Sequence, residues 1–376
     1  MSKTYKEDVN FIEFAVQKIC LLQGYSDQHA HYVAEAIAFA HIQGKLNQGL
    51  GVFEALDIGL TRGFIDIKSV PEITREGPSW AVVDGKGSTG YYVLNMMADK
   101  AIELAAESGI AIVFGGNHGD AGSFGRYVYK AFENDMFAMS SNNSVPLAAP
   151  FGGMQNLLSC PPFDAIAPAG VNEPVWISTK FSEFYDADIS EAVFNDRPLN
   201  GKWIIDPETG ELSDDAAKYA RPIDGYGRVW DYVGAGQIEE PRTYAMNMWN
   251  ESICAMLNPL GVPSTDLPTI EEAVSADNEL AAVGGSYYIC INPAVFGDLT
   301  AMKKRSDNYI DAIKSSKPRP GHSIRVPSSK GFEKLLKGDN EVDVLDNHRT
   351  AFFDFIAGRY GYSEETLRQE YETTRA

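Results

Sequence analysis

The stretch GGNHGDAGSFG, residues 115–125, sets a histidine in a glycine-rich segment, and His118 is one of only six histidines in 376 residues. An unperturbed imidazole titrates near pH ~6.5, so it can exchange a proton with a hydroxyl or carbonyl at neutral pH. Asn117 and Asp120 flank it and could orient the ring or meet a ligand. The same residues also read as a turn whose glycines let a strand and a helix pack closely. A strand, a glycine-rich turn and a helix N-terminus together favour an anion, because unpaired N–H groups and the helix dipole point outward. Gly116, Gly119 and Gly122 recur every third residue, which is not the G-x-G-x-x-G spacing. The acid expected ~20 positions further on is replaced by SSNNS, so a standard Rossmann site is not expected.

Other chemistry is sparse. His29, His31 and His41 fall on or beside one helix, but 29 and 31 do not share a face, so they read as surface or packing histidines. No HExxH, paired histidine or carboxylate cluster stands at ligand spacing, and no metal site is expected. A G-x-S-x-G nucleophile motif is also missing.

The elements that must position His118 follow from periodicity. FIEFAVQKICLLQG has apolar residues at helical spacing and stops at Gly24. Ser26 offers an N-cap for a second helix ending near Gly44, and a third covers Leu50 to Thr61. SWAVVDG reads as a strand, Tyr91 to Ser108 as a helix closed by Gly109, and IAIVF (110–114) as a buried strand. The helix SFGRYVYKAFEND and the strand MFAMSS follow, and this alternation predicts an α/β region. Beyond residue 195 the chain turns loop-rich, with PETG as an exposed turn tip. Helical character returns at YAMNMWNESICAMLN, SYYICI reads as a strand, and a helix is expected from about Pro293 to Ser316. The expected division is a helical region, 1–78 with 300–376, beside an α/β region, 79–299, that carries a loop-rich excursion around 195–243.

A hydrophobic content of 44% with 22% charged residues fits a soluble globular protein. The net charge of −20 argues against nucleic acid or an anionic membrane as partner. No apolar run approaches the ~18 residues of a membrane span, and MSKTYKEDVNF carries no signal-type apolar segment. Cys20, Cys160, Cys254 and Cys290 form no CxxC pair, which suggests a reducing compartment and a cytoplasmic protein.

Over nearly the whole chain, and most specifically over residues 80–170, the sequence resembles the malate/L-lactate dehydrogenase family, the non-Rossmann NAD(P)-dependent oxidoreductases. The resemblance rests on the strand VVDG, the helix MMADKAIELAAESGIA, the N-H-G at the end of the next strand, and N-S-x-P-x-x-x-P-x-G-G at Asn143 to Gly153. YYICINPAVFG and TRGFIDIKSVPEI fit the same layout. The resemblance implies a mixed-sheet α/β fold that binds a dinucleotide, with an N- and C-terminal helical region beside it. It also implies a homodimer, NADH or NADPH as cofactor, and hydride transfer to or from a small 2-oxo acid, 2-hydroxy acid or cyclic imine acid. His118 would be the acid/base, and Asn143 and Ser144 would lie against the cofactor.

The departures mark where the site has changed. The family's R-G-x-x-S-H-G reads Gln43-Gly44-Lys45-Leu46-Asn47-Gln48-Gly49, so its second histidine is Gln48, and its substrate arginine aligns with Val52. Losing that arginine removes a bidentate carboxylate clamp, and Gln48 can hydrogen-bond but not shuttle a proton. The family's Asp-Met-Ala-Thr-Ser strand aligns with Ser178-Thr179-Lys180-Phe181-Ser182, which deletes its aspartate, and its G-T-N-P turn reads Ser159-Cys160-Pro161-Pro162. A family lysine falls on Gly227, with Arg228 one place off. The expected substrate-side residues are therefore Gln48, Asn117, Asp120 and Arg228, and the expected cofactor-side residues are Asn143, Ser144, Ser178, Thr179 and Lys180. Lys180 and Arg228 are candidate replacement cations, or surface charges. Two other functions fit these departures: an enzyme with a rebuilt, non-redox site, or a catalytically silent binding or scaffold subunit.

Overall fold

The structure is a computed structural model that describes residues 3–222, 229–230, 232–235, 241–269, 272, 283–327 and 329–375. The chain begins with a short strand, β1 (Thr4–Asp8), which TYKED is too short to announce by alternation. Helix α1 (Val9–Gln23) follows, started by Asp8, whose carboxylate accepts from the Asn10 N–H, and closed by Gly24. Ser26 caps α2 (Asp27–Ile42) as its sequence position suggested, accepting from the His29 N–H. Helix α3 is Leu50–Thr61.

The sheet strands are β2 (Glu72–Gly77), β3 (Trp80–Ser88), β4 (Ile110–His118), β5 (Phe137–Ser144), β6 (Pro162–Ala167), β7 (Val175–Lys180) and β8 (Val283–Ile291). They form one seven-stranded mixed sheet in the order β2-β3-β4-β8-β5-β6-β7. Within this sheet, among the described residues, only β3 and β4 pair in parallel. Because β8 lies antiparallel to both β4 and β5, and β6 antiparallel to both β5 and β7, strands β3, β4, β5 and β7 all point the same way. Their carboxyl ends, which include His118, Ser144 and Lys180, therefore share one edge of the sheet.

Helices α4 (Gly90–Ser108) and α5 (Gly125–Glu133) cover one face. The core there joins Val93, Met97 and Ala101 of α4 to Val83, Val113 and Tyr288 of the sheet. A second core joins α1, α2 and α3 to Phe352, Phe353 and Leu367 near the C-terminus. It is closed by β1 pairing antiparallel with β9 (Glu341–Leu345). This is the α/β arrangement with an adjoining N- and C-terminal helical layer that the resemblance implied.

Two segments sit elsewhere than the expected division placed them. Residues 72–77 are a sheet strand paired with β3, not part of the helical layer. The expected helix from Pro293 splits into a short turn and α6 (Leu299–Lys314), started by Asp298, which accepts from Thr300 and Ala301 N–H. Helix α6 packs on the sheet side: Asp307 accepts from the N–H groups of Gly170, Val171 and Asn172, and Ile310 is buried with Ala169 and Val326. The PETG segment is the exposed tip of a small hairpin, with Asp206 accepting from the Glu208 and Thr209 N–H groups. Among the described residues no helix is long and apolar enough to cross a membrane.

Candidate active site

A cavity of about 820 Å³ opens at the shared carboxyl-end edge of the sheet. That volume is of the size that holds a drug-sized ligand. Its walls come from distant parts of the chain: the turn and helix around 44–62, the loop after β4, the strand ends β5, β6 and β7, the segment at 185–191, and Leu345. Gln48, Asp120, Ser144, Ser178, Thr179 and Lys180 all line it, so six of the expected site residues meet in one place.

The loop after β4 shows why its glycines are needed. Gly122 has φ +59, and a Cβ there would stand 2.4 Å from the Tyr91 hydroxyl. Asp120 turns one oxygen to the N–H groups of Ala121 and Gly122, which holds the loop in shape as it passes the cavity. Asn117 also has a positive φ, +53, a conformation asparagine tolerates better than most residues. Its amide donates to Asp84, and it is not in the cavity wall. It shapes the strand end and stands away from the expected substrate position.

Strand alternation explains a second displacement. Successive side chains on a strand point to opposite faces. Asn142 and Ser144 of β5 face the cavity, which turns Asn143 away. Asn143 is fully buried and donates to Glu251 and to the Val262 carbonyl, tying β5 to the segment behind it. Gly227 and Arg228 lie outside the described residues.

His118 is completely buried and does not line this cavity, although Gly119 beside it does. Its Nδ1 lies 2.8 Å from the Gly119 carbonyl, which only accepts, so Nδ1 carries the proton. Nε2 then accepts from the Ser286 hydroxyl at 2.9 Å. Burial lowers the imidazole pKa to about 4, partly opposed by the Gly119 hydrogen bond, so the ring is neutral at pH 7. His29 and His41 are packing histidines: His41 accepts from the Leu50 N–H, and burial lowers both to about 4.

Two cavity residues escaped the reading of the sequence. Asp164, on β6, is buried with only 2% of its side chain exposed, and its Oδ1 has no hydrogen-bond partner. Lys45 stands 3.7 Å from that oxygen and donates to Ser123 at 3.1 Å and to Ser178. Burial pushes the Asp164 carboxyl up, and Lys45, with the nearby Ser178 hydroxyl and Trp176 indole N–H, draws it partway back. A signal was present: PFDAIA places one carboxylate in an apolar strand, and a buried charge requires a partner. Lys180 is engaged otherwise, 3.3 Å from Asp188 and with its ammonium 4.0 Å from the Tyr185 ring centroid.

Comparison with known proteins defines the class. The family model described as malate/L-lactate dehydrogenase matches residues 10–345, and the chain belongs to that family of NAD(P)-dependent dehydrogenases. It is 27% identical to L-sulfolactate dehydrogenase of Methanocaldococcus jannaschii over 324 residues, covering 86% of this chain and 88% of that one. It is 21% identical to ureidoglycolate dehydrogenase (NAD(+)) of Escherichia coli over 333 residues, covering 88% and 89%. Among solved structures, malate dehydrogenase from Entamoeba histolytica superposes with a TM-score of 0.83 at 19% identity, covering 96% of this chain and 99% of that one. Delta1-piperideine-2-carboxylate reductase from Pseudomonas syringae gives 0.75 at 18% identity, covering 89% and 94%.

Proposed function

We propose that the cavity is the site of hydride transfer between NADH or NADPH and a small 2-oxo acid, 2-hydroxy acid or cyclic imine acid. The observation that carries this is the convergence of Gln48, Asp120, Ser144, Ser178, Thr179 and Lys180 on one cavity at the strand ends. The family and the names of its relatives support the reaction class. The lining fits a nicotinamide dinucleotide: glycines 119 and 122 leave backbone accessible, and Asn142, Ser144 and Ser178 supply hydrogen-bonding groups. When bound, the nicotinamide supplies the carbon that takes or gives the hydride. His118 serves as acid/base in this reading. As a neutral ring with Nε2 as acceptor it can take a proton, which requires the ligand's oxygen to displace the Ser286 hydroxyl from a ring that is buried beside the cavity and outside its wall. The chain is further proposed to be cytoplasmic and to work as a homodimer. Trp249, Met256 and Leu257, exposed along one helical segment, suit a covered surface.

The test is fluorescence titration of the purified protein with NADH and with NADPH. Saturable binding of one of them at micromolar concentration is expected, and binding of neither would sink the reading. Where a cofactor binds, His118→Ala should lose turnover while keeping cofactor affinity. The complete burial of His118 favours a second reading, in which the cavity binds its ligand without proton transfer at position 118. Undiminished turnover in His118→Ala, in a folded protein, selects that reading.

A further inference from the structure

We infer that Lys45 and Asp164 form the substrate-recognition pair of the cavity, Lys45 holding the carboxylate of a 2-hydroxy acid and Asp164 accepting from its hydroxyl. The inference rests on the proposed oxidoreductase reading for the substrate class and, because one hydroxyl hydrogen cannot go to two acceptors, on the second reading of the cavity, in which position 118 takes no proton from the ligand. The residues themselves are argued from geometry.

Strands β6 and β7 pair antiparallel with Asp164 directly opposite Ser178. At this rung Ser178 is the short side chain and Asp164 the carboxylate, and both line the cavity. Directly opposed side chains lie about 5 Å apart at Cβ, so a group reaching into the cavity meets nearly the same spot from either strand. Asp164 is in the cavity wall, and its Oδ1 lacks a hydrogen-bond donor. A buried carboxylate oxygen without a donor is costly, and a ligand O–H or N–H would satisfy it.

Lys45 supplies the other half. It precedes the turn Leu46–Gln48, so it enters the cavity from the same segment as Gln48 and Val52. About a quarter of its side chain stays exposed, at 28%. Ser123, Ser178 and Asp164 fix the ammonium in place. Arg62 and Lys180 also line the cavity, but Lys180 is held against Asp188 and Tyr185. Together the pair offers a cationic donor and an anionic acceptor 3.7 Å apart. Adjacent carboxylate and hydroxyl groups match that pattern. A ligand with two carboxylates places one of them against Asp164 and is disfavoured.

Calorimetric titration with oxamate and with oxalate, each with and without NADH and NADPH, tests this. Oxamate presents a carboxylate and an N–H donor, and oxalate presents two carboxylates. The wild-type protein should prefer oxamate. Lys45→Met should weaken both probes by about tenfold or more, and Asp164→Asn should shrink the oxamate preference by about fivefold. Lys45→Gln substitutes if the Met variant melts early, and the near-isosteric Asp164→Asn carries the preference test independently. An unchanged preference in Asp164→Asn, unchanged affinity in a folded Lys45 variant, or no binding of either probe to the wild type overturns the proposal. Probe binding that depends on both residues in a protein that binds neither nucleotide leaves the pair standing and removes the oxidoreductase reading. Nucleotide binding with probe affinities indifferent to both residues does the reverse.

Discussion

Two buried polar centres flank the strand ends, and they are built on opposite principles. His118 is fully enclosed with both ring nitrogens engaged, one by the Gly119 carbonyl and one by Ser286. Asp164 is as deeply placed but borders the cavity, with one oxygen lacking a donor and its counter-ion 3.7 Å away. A satisfied polar group holds structure, because every bond it makes would have to be broken to free it. An unsatisfied one keeps a capacity for a ligand. Read this way, the resting fold relies on His118 and leaves Asp164 open to bind.

That contrast breaks most visibly on truncation. His118→Ala removes two buried hydrogen bonds, leaves Ser286 unpartnered and opens a void, so it should cost about 3 kcal/mol of stability. Urea unfolding followed by circular dichroism reads this directly. A loss below about 1 kcal/mol would mean that the histidine is not the anchor described.

Acid sharpens the comparison at a smaller scale. Burial lowers His118, His29 and His41 each to about 4, below the ~6.5 of an unfolded histidine. Between those values the unfolded chain binds more protons, so stability is full above pH ~6.5 and falls as pH drops toward 4. Each histidine contributes a slope of about 1.4 kcal/mol per pH unit in that window. His118→Gln should flatten the histidine part of the slope by about a third, measured from urea midpoints between pH 7 and pH 5. A slope indifferent to the substitution would show that His118 takes up protons in the folded state as readily as in the unfolded one.

The legibility of this molecule in its sequence follows the same division. Helices α1 and α2, the strand ahead of His118 and the closing Gly109 were readable, because apolar period and caps are local signals. The pairing of β1 with β9 was not, since it joins residues over 330 positions apart and each strand is only five residues long. The segments that come to line the cavity were readable, but the facing of single residues depended on the pleat. Ser144 points into the cavity and Asn143 away from it, which a motif quoted as Asn-Ser cannot express. Lys45 and Asp164 went unnoticed because they are 119 residues apart in the chain and no local pattern joins them. Their link appears only when β6 is set against β7 and the turn at 45 folds over both.

Asp164→Asn supplies the smallest stability change and the sharpest contrast with His118. Removing one member of a buried ion pair usually costs 3–5 kcal/mol, because the other is left charged and buried. Here the remaining member is Lys45, which is partly exposed and keeps Ser123 and Ser178 as acceptors. The asparagine keeps the shape of the side chain and removes a carboxylate that burial already disfavours. The two effects offset, and the variant should unfold within about 1 kcal/mol of the parent at pH 7. A loss as large as that of His118→Ala would show that Asp164 is also a structural anchor and that the two centres are not built differently. Parent-like stability together with a lost oxamate preference would separate them: His118 serving the fold at rest, and Asp164 kept incompletely paired for a ligand.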